Sequence, residues 1–156
     1  MHDIFDLLLN AGQISETTAA LVRRYCERWN LSGFHGLLRT HIFTEEALAD
    51  LLAHLLKMDR VYNIVADDSG RDGRKQLSWQ RCLAWECFPS HRVDDGTYLE
   101  IVMVDPTQRE RVAYFRECFH HQFSLVVASR NDVISAIHEY FDLADQLPFL
   151  KETGCD

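Results

Sequence analysis

The sequence lacks several features that would have placed it at once in a class of proteins. Proline occurs 3 times and glycine 7 times in 156 residues, so the composition is not that of a low-complexity or disordered chain. No apolar run approaches the roughly 18 residues that a membrane-crossing helix needs. The first residues, Met1, His2 and Asp3, are not basic and do not resemble a signal peptide. We therefore expect a cytoplasmic location without direct insertion into a membrane.

Positive charge is also scarce. Lysine and arginine together number 16 against 24 acidic residues, which gives a formal net charge of −8. An acidic surface repels nucleic acid and anionic lipid. The few basic groups, such as Arg23-Arg24 and Arg74-Lys75, have acids nearby. The sequence therefore predicts no nucleic-acid partner.

Motifs of the common enzyme classes are missing as well. No segment fits the P-loop pattern, since Gly70 to Lys75 lacks the required spacing and hydroxyl residue. No G-x-S-x-G turn occurs, and Ser69 falls in a polar stretch without rigid support. The prediction is that the chain is not an enzyme and has no catalytic residues.

Cysteine and histidine do not form a metal-binding pattern either. The 5 cysteines are an odd number, which favours free thiols in a reducing compartment over a disulfide framework. Cys82 and Cys87 lie five apart, which on a strand would put them on opposite faces. The histidines fall into two groups, which are His120-His121 beside Glu117 and Cys118, and the set His35, His41 and His54. Neither group has the paired cysteines or the HExxH spacing of a zinc site. We expect no metal and no cofactor.

What the chain does contain is a repeat with a period of 29 residues. Identical pairs at this offset are Phe5/Phe34, Leu8/Leu37, Leu9/Leu38, Glu16/Glu45 and Ala20/Ala49. Each copy reads as a short apolar helix, a turn and a longer helix that opens with a hydroxyl residue and an acid. Ser15 and Thr44 are the predicted N-caps. Such a repeat is one supersecondary unit copied to bury a shared apolar face, so residues 1–58 are predicted to be a duplicated helical-hairpin subdomain.

The second half changes to alternating strands and helices. We expect a strand at 61–65 and a mobile polar linker at 66–75, the two together forming a 59–75 connection. A small α/β subdomain follows over 76–145, with strands at 82–88, 98–104 and 123–128 and helices after Thr107 and at 131–141. Asp94-Asp95-Gly96 is a hairpin signal, and a tail occupies 146–156. The predicted fold class is therefore α+β, with helices on a short, mostly antiparallel sheet.

The order of these patterns resembles the N-terminal domain of the ATPases that drive type II secretion and type IV pilus assembly. In that family each repeat reads leucine-glycine-x-x-leucine, then isoleucine-serine/threonine-acid, then a helix rich in leucine. The second repeat, Phe34 to Leu48, follows this order, and the run from Glu100 to Pro106 matches the family's strand that ends in Asp-Pro. Ala128-Ser129 to Tyr140-Phe141 matches its closing helix. The resemblance covers Ile4 to Phe141 and implies a regulatory domain rather than an ATPase core.

One branch of that family, the MshE type, is a receptor for cyclic di-GMP, which it binds through two 24-residue motifs with a five-residue spacer. The period of 29 preserves this register. The arginine positions that open the motifs, however, hold Asp3 and Ser32, and the glycine positions hold Phe5 and Phe34. A dinucleotide phosphate needs cationic donors and close backbone approach. If cyclic di-GMP binds, the apolar motif positions that remain for it are Leu8, Ile14, Leu37, Phe43, Leu48 and Leu52.

Two functional hypotheses follow from the resemblance. In the leading one, the helical repeats dock a partner, which is the cytoplasmic part of an inner-membrane assembly protein or a fused catalytic domain such as a membrane glycosyltransferase. Docking would recruit the chain to the inner membrane. An apolar patch with Tyr25 nearby is expected to carry this contact, and its predicted residues are Phe5, Trp29, Phe34, Leu37 and Phe43. In the alternative, the domain binds cyclic di-GMP.

Overall fold

The computed structural model describes residues 3–141 of the chain. It contains seven α-helices and three strands within this range. In chain order these are α1 (Ile4–Asn10), α2 (Glu16–Trp29), α3 (Gly33–Arg39), α4 (Glu45–Leu56), α5 (Arg71–Trp85), β1 (Cys87–Val93), β2 (Tyr98–Met103), α6 (Arg109–Phe119), β3 (Phe123–Val127) and α7 (Arg130–Tyr140). The α+β fold class that the sequence predicts is confirmed.

The helical duplication is confirmed down to individual hydrogen bonds. Ser15 and Thr44 cap α2 and α4 through their hydroxyl oxygens, 3.1 Å from the amide nitrogens of Thr18 and Ala47. Asp3 and Ser32, also 29 residues apart, cap α1 and α3 in the same way. The chain then turns through a left-handed residue at equivalent positions, Gly12 and His41. The two helical hairpins therefore share one backbone design.

Close packing between the copies depends on two glycines of α3. A Cβ atom at Gly33 would lie 2.7 Å from side-chain carbons of both Ile4 and Phe5, and one at Gly36 would lie 2.1 Å from the sulfur of Cys26. Only a residue without a side chain allows α1 and α2 to approach α3 this closely. The short helix α3 is thereby fixed against the first hairpin.

The segment after α4 differs from its prediction. Residues 61–65 form no strand; one isolated parallel bridge joins Arg60 to Val127 of β3. The stretch 66–75, predicted to be a mobile linker, contains a 3₁₀ turn at Asp68–Gly70 and the first residues of α5. Gly70 and Gly73 are buried there, because the backbone itself packs where apolar side chains are lacking.

The sheet has the order β1-β2-β3, with an antiparallel first pair and a parallel second pair. The predicted hairpin is confirmed, and Asp94, Asp95 and Gly96 all adopt positive φ as its turn requires. The predicted antiparallel pairing holds for β1 and β2 only, because α6 crosses over between β2 and β3 and returns the chain in the parallel direction.

Three local details correct the sequence analysis. The first predicted strand, 82–88, begins at Cys87, since Cys82 still belongs to α5. Pro89 lies inside β1 rather than ending it, as an edge strand permits. Gln108, not Thr107, stands at the N-cap of α6, because the Thr107 hydroxyl donates to Asp105 instead. The predicted tail, 146–156, lies outside the described residues.

The two halves share one hydrophobic core. Buried residues of the helical repeats and of the sheet belong to the same cluster of contacts, which includes Phe5, Leu37, Leu77, Phe88 and Ile137. A polar contact reinforces the junction. Glu86, at the end of α5, pairs with His35 of α3 and, at 2.6 Å, with Arg130 of α7. The helical repeats are therefore held firmly against the α/β half.

Candidate functional site

The outward side of α2 carries the main exposed apolar surface of the helical repeats. Leu21 and Trp29 expose 59% and 58% of their area, and the half-buried Tyr25 lies between them on the same side of the helix. The rings of Tyr25 and Trp29 lie 6.4 Å apart, and the Arg28 guanidinium lies 5.7 Å from the Trp29 ring centroid. We call Leu21, Tyr25 and Trp29 the α2 face.

In the second copy the counterparts of Leu21 and Tyr25, Asp50 and His54, are exposed, and the sheet covers the side of α4 next to them. In α4 the neighbouring residues Ala49 and Ala53 are buried against Val127 of β3, with Met58 beside them. Met58 is the counterpart of Trp29 at the 29-residue offset. The counterparts of Ala49 and Ala53 in α2, Ala20 and Arg24, are exposed. One side of the repeat is thus covered by the sheet in the second copy and left uncovered by the described residues in the first.

The residues predicted for partner binding separate into buried and accessible ones. Phe5, Phe34 and Leu37 expose 4%, 2% and 0% of their area, because they form the seam between the two hairpins. They are therefore no part of an exposed patch, which corrects the expectation from sequence. Phe43 is half-buried, and Trp29 is exposed. Leu21 was missed because a single exposed leucine in a helix gives no signal in the sequence.

The apolar positions named for a nucleotide are mostly internal too. Leu8, Leu37, Leu48 and Leu52 are fully buried, so they serve as scaffold, while Ile14 and Phe43 are half-buried. At the first motif's arginine position, Asp3 caps α1 and pairs with Arg23 at 3.3 Å. At the second motif's arginine position, Ser32 caps α3.

The two copies present grooves of similar position and opposite charge. The first, of about 610 Å³, is lined by Asp6, Leu9, Asn10 and Glu16 among others. The second, of about 480 Å³, is lined at the equivalent positions by His35, Leu38, Arg39 and Glu45, and also by His41 and Arg130. The same backbone shape has thus become acidic in one copy and mainly basic in the other.

A serine, a histidine and a glutamate meet on the sheet, but not as a catalytic relay. The Ser90 hydroxyl lies 3.1 Å from Nδ1 of His91 and 3.0 Å from Oε1 of Glu100. The same nitrogen of His91 is the one that faces Glu100, at 3.8 Å. A relay needs the two ring nitrogens to face different partners. Ser90 is also fully buried, so this cluster is a structural network of β1 and β2.

The cysteines of the α5–β1 junction do meet, contrary to the prediction. Cys82 and Cys87 are both fully buried. A hydrogen bond with Cys87, together with burial, raises the pKa of the Cys82 thiol far above its ordinary value. A thiol that stays protonated is a poor nucleophile and a poor metal ligand. Within residues 3–141, no group of three or more metal-ligating side chains comes together.

No helix in the described part of the chain is both long enough and apolar enough to cross a membrane. The α2 face and the charged grooves of the repeats are the candidate sites on the helical half.

Comparison with known proteins finds a family match and similar solved structures. Residues 74–147 match the family model of the MshEN domain. No curated protein matches the chain. Among solved structures, a structure of MshE with cdg, cyclic di-GMP, superposes with a TM-score of 0.66 at 18% identity and covers 90% of this chain and 100% of that one.

The N-terminal domain of XpsE, in two crystal forms, gives TM-scores of 0.61 and 0.64 at 17% identity. These matches cover 88% and 86% of this chain, and 94% and 90% of the XpsE chains. The family match lies in the α/β half and the structural matches extend over the repeats as well. The chain thus resembles the N-terminal domain of the secretion and pilus-assembly ATPases, by sequence in the α/β half and by fold over nearly all of its length.

Proposed function

We propose that this chain is a non-catalytic regulatory domain that docks a partner protein through the α2 face. The partner is the cytoplasmic part of an inner-membrane assembly protein, or a catalytic domain fused to this one. In the first case docking would bring the domain to the inner membrane. The observation that carries the proposal is the exposed apolar side of α2, where Leu21 and Trp29 expose 59% and 58% of their area.

The composition of the α2 face supports a protein partner. Tryptophan, tyrosine and arginine are the residues most often found at the energetic centre of protein interfaces. Arg28 beside Trp29 completes that set. Burying a leucine side chain completely contributes about 1.5–3 kcal/mol. Because Leu21 is 59% exposed, docking could still gain about half of that amount from this residue alone.

The test is the affinity of the cytoplasmic segment of such a membrane protein for the full chain, measured by calorimetry. Leu21→Asp should weaken binding by about tenfold or more, since it puts a charge into the apolar contact. Val65→Asp is the matched control, because Val65 is 67% exposed, slightly more than Leu21, and lies outside the α2 face. Both variants should keep the thermal midpoint of the parent chain. Equal affinities for the two variants would contradict the proposal.

A second candidate function, binding of cyclic di-GMP, is supported by the basic groove of the second copy and by the likeness of the fold to that of MshE. Arg39 and His41 are both exposed there, whereas His35 and Arg130 already pair with Glu86. Titration of the chain with cyclic di-GMP should release heat that Arg39→Glu abolishes. No heat with the parent chain would exclude this candidate and leave the docking proposal unaffected.

A further inference from the structure

The outer edge of β3 is only partly paired. Val127 donates its N–H to the carbonyl of Asp59 at 2.9 Å and accepts from the N–H of Val61 at 2.8 Å. These two bonds form the single bridge between β3 and the segment after α4. Toward the beginning of β3 the segment is no longer alongside, because Lys57 turns through a left-handed conformation at the end of α4.

The remaining outward groups of this edge belong to Phe123 and Leu125. Successive residues of a strand direct their backbone groups to opposite sides, so these two face the same way as Val127. The inward direction is fixed independently, because the carbonyl of Gln122 accepts from Leu99 of β2 and the N–H of Ala128 donates to Met103 of β2. Within residues 3–141 nothing hydrogen-bonds to the outward N–H and C=O groups of Phe123 and Leu125.

A groove runs beside this free edge, between β3 and α6. Its volume is about 470 Å³, and its apolar lining consists of Met58, Pro106, Val112, Ala113 and Leu125. Arg109 and Arg116, two turns apart on α6, complete the lining. Both arginines are exposed, and no described carboxylate forms an ion pair with either. A strand laid against β3 would place alternate side chains in this groove.

We propose that the outer edge of β3 accepts an extended, acidic segment of a partner protein as a fourth strand of the sheet. Unpaired N–H and C=O groups at strand spacing are satisfied best by another extended chain. The groove selects apolar side chains on one side of that segment, and Arg109 and Arg116 select carboxylates near it. This surface is separate from the α2 face and does not depend on it.

A second copy of this chain is a poor occupant of the same edge. Two copies related by a two-fold axis would place the same surface on both sides of the contact. Arg109 and Arg116 of each copy would then face the arginines of the other, and like charges disfavour such a pairing. The arginines that attract an acidic segment therefore also oppose association between copies.

The probe for the experiment is a synthetic peptide of about ten residues in which valine alternates with glutamate, a length typical of a long strand. It is added to the full chain, and amide hydrogen exchange is followed residue by residue by NMR. With peptide bound, we expect the Leu125 amide to exchange at least about tenfold more slowly, since it gains a hydrogen-bond acceptor. Val126, whose amide faces β2, serves as the internal control and should not change.

Charge reversal then identifies the groove. Arg109→Glu with Arg116→Glu should weaken binding of the glutamate peptide by about tenfold and favour a peptide with lysine in place of glutamate. Arg24→Glu with Arg71→Glu, two exposed arginines outside the groove lining, is the matched control and should leave binding unchanged. Equal effects of the two double variants would overturn the proposal.

Two further results would also overturn it. One is a Leu125 amide whose exchange stays unchanged when the peptide is in excess, since no strand is then added at β3. The other is slow exchange of this amide before any peptide is present, because the chain itself or a second copy would then already fill the edge.

Discussion

Replacing Arg74 by methionine should destabilise the fold far more than the polar sequence around it suggests. Arg74 is only 9% exposed. Its Nη1 atom donates to the carbonyls of Pro89 and Ser90 at 2.9 Å each, and Nη2 donates to the carbonyl of Asp67 at 2.8 Å. Its guanidinium carbon lies 5.6 Å from the ring centroid of Phe88. One side chain thus ties the start of α5 to β1.

The magnitude follows from what methionine removes. Methionine keeps most of the apolar stem but supplies no donor, so three hydrogen bonds from a charged group are lost, each worth about 1.5–3 kcal/mol. Part of this is offset, because burial lowers the pKa of Arg74 and so reports that the buried cation itself is costly. The carbonyl of Ser90 also keeps a weaker bond from the N–H of Asp67, at 3.4 Å. We expect a net loss of about 2–4 kcal/mol in the free energy of unfolding.

Urea denaturation followed by circular dichroism measures this loss, provided that the slope against urea is unchanged. Arg71→Met is the matched control, since Arg71 lies one turn earlier on α5 with 66% of its side chain exposed, and should cost within about 0.5 kcal/mol. Arg74→Lys should fall between the two, because one ammonium group cannot reach carbonyls in two directions as a planar guanidinium does. A loss below about 1 kcal/mol for Arg74→Met, or equal losses at the two positions, would refute the reasoning.

Two other perturbations test the packing and the electrostatics of the fold. Gly36→Ala should lower the free energy of unfolding by about 1–3 kcal/mol, because the added Cβ would lie 2.1 Å from the sulfur of Cys26. Thermal denaturation should show a smaller loss when the same substitution is made in a Cys26→Ala background. An equal loss in the two backgrounds would contradict this explanation. Hydrogen bonds from the Ser69 hydroxyl and amide lower the pKa of the Asp67 carboxyl. The stabilisation of the folded state by these hydrogen bonds is therefore complete above the ordinary aspartate pKa. It is lost as the pH falls through the lowered pKa of Asp67 in the folded state. Asp67→Asn should reduce the slope of unfolding free energy against pH in this acidic window, and an unchanged slope would count against the assignment.

Features of the fold that depend on neighbouring residues could be predicted from the sequence. The N-caps Ser15 and Thr44 were predicted because a side-chain oxygen satisfies amides within the same turn. The hairpin at Asp94 to Gly96 was predicted because its turn requires positive φ, which aspartate and glycine tolerate. The repeat itself shows through five identical pairs at one offset. In each case the determining contact lies within a few residues or recurs at a fixed period.

Features that depend on distant contacts could not be predicted in the same way. The stretch 66–75 has no large apolar side chain after Ala66, and this composition suggested a linker. In the structure, Gly70 and Gly73 let the backbone approach β1 and Leu99 of β2, and Arg74 supplies the hydrogen bonds. Nothing local distinguishes a glycine that loosens a loop from one that permits close packing.

The positions of the repeat that stayed identical and those that diverged carry different information. Phe5/Phe34 and Leu8/Leu37 are identical, and all four are buried in the seam that both hairpins need. Identity at these two pairs of positions therefore reports shared packing, and burial leaves Phe5, Phe34 and Leu37 outside any exposed patch.

Divergence between copies points to what each copy does alone. Leu21 and Trp29 correspond to Asp50 and Met58, where Asp50 pairs with Arg60 at 2.8 Å and Met58 packs beside β3. Asp50 and Met58 thus contact the rest of the chain, whereas Leu21 and Trp29 are left exposed by the described residues. In a duplicated domain, the binding surface is best sought where equivalent positions share a backbone conformation and differ in chemistry.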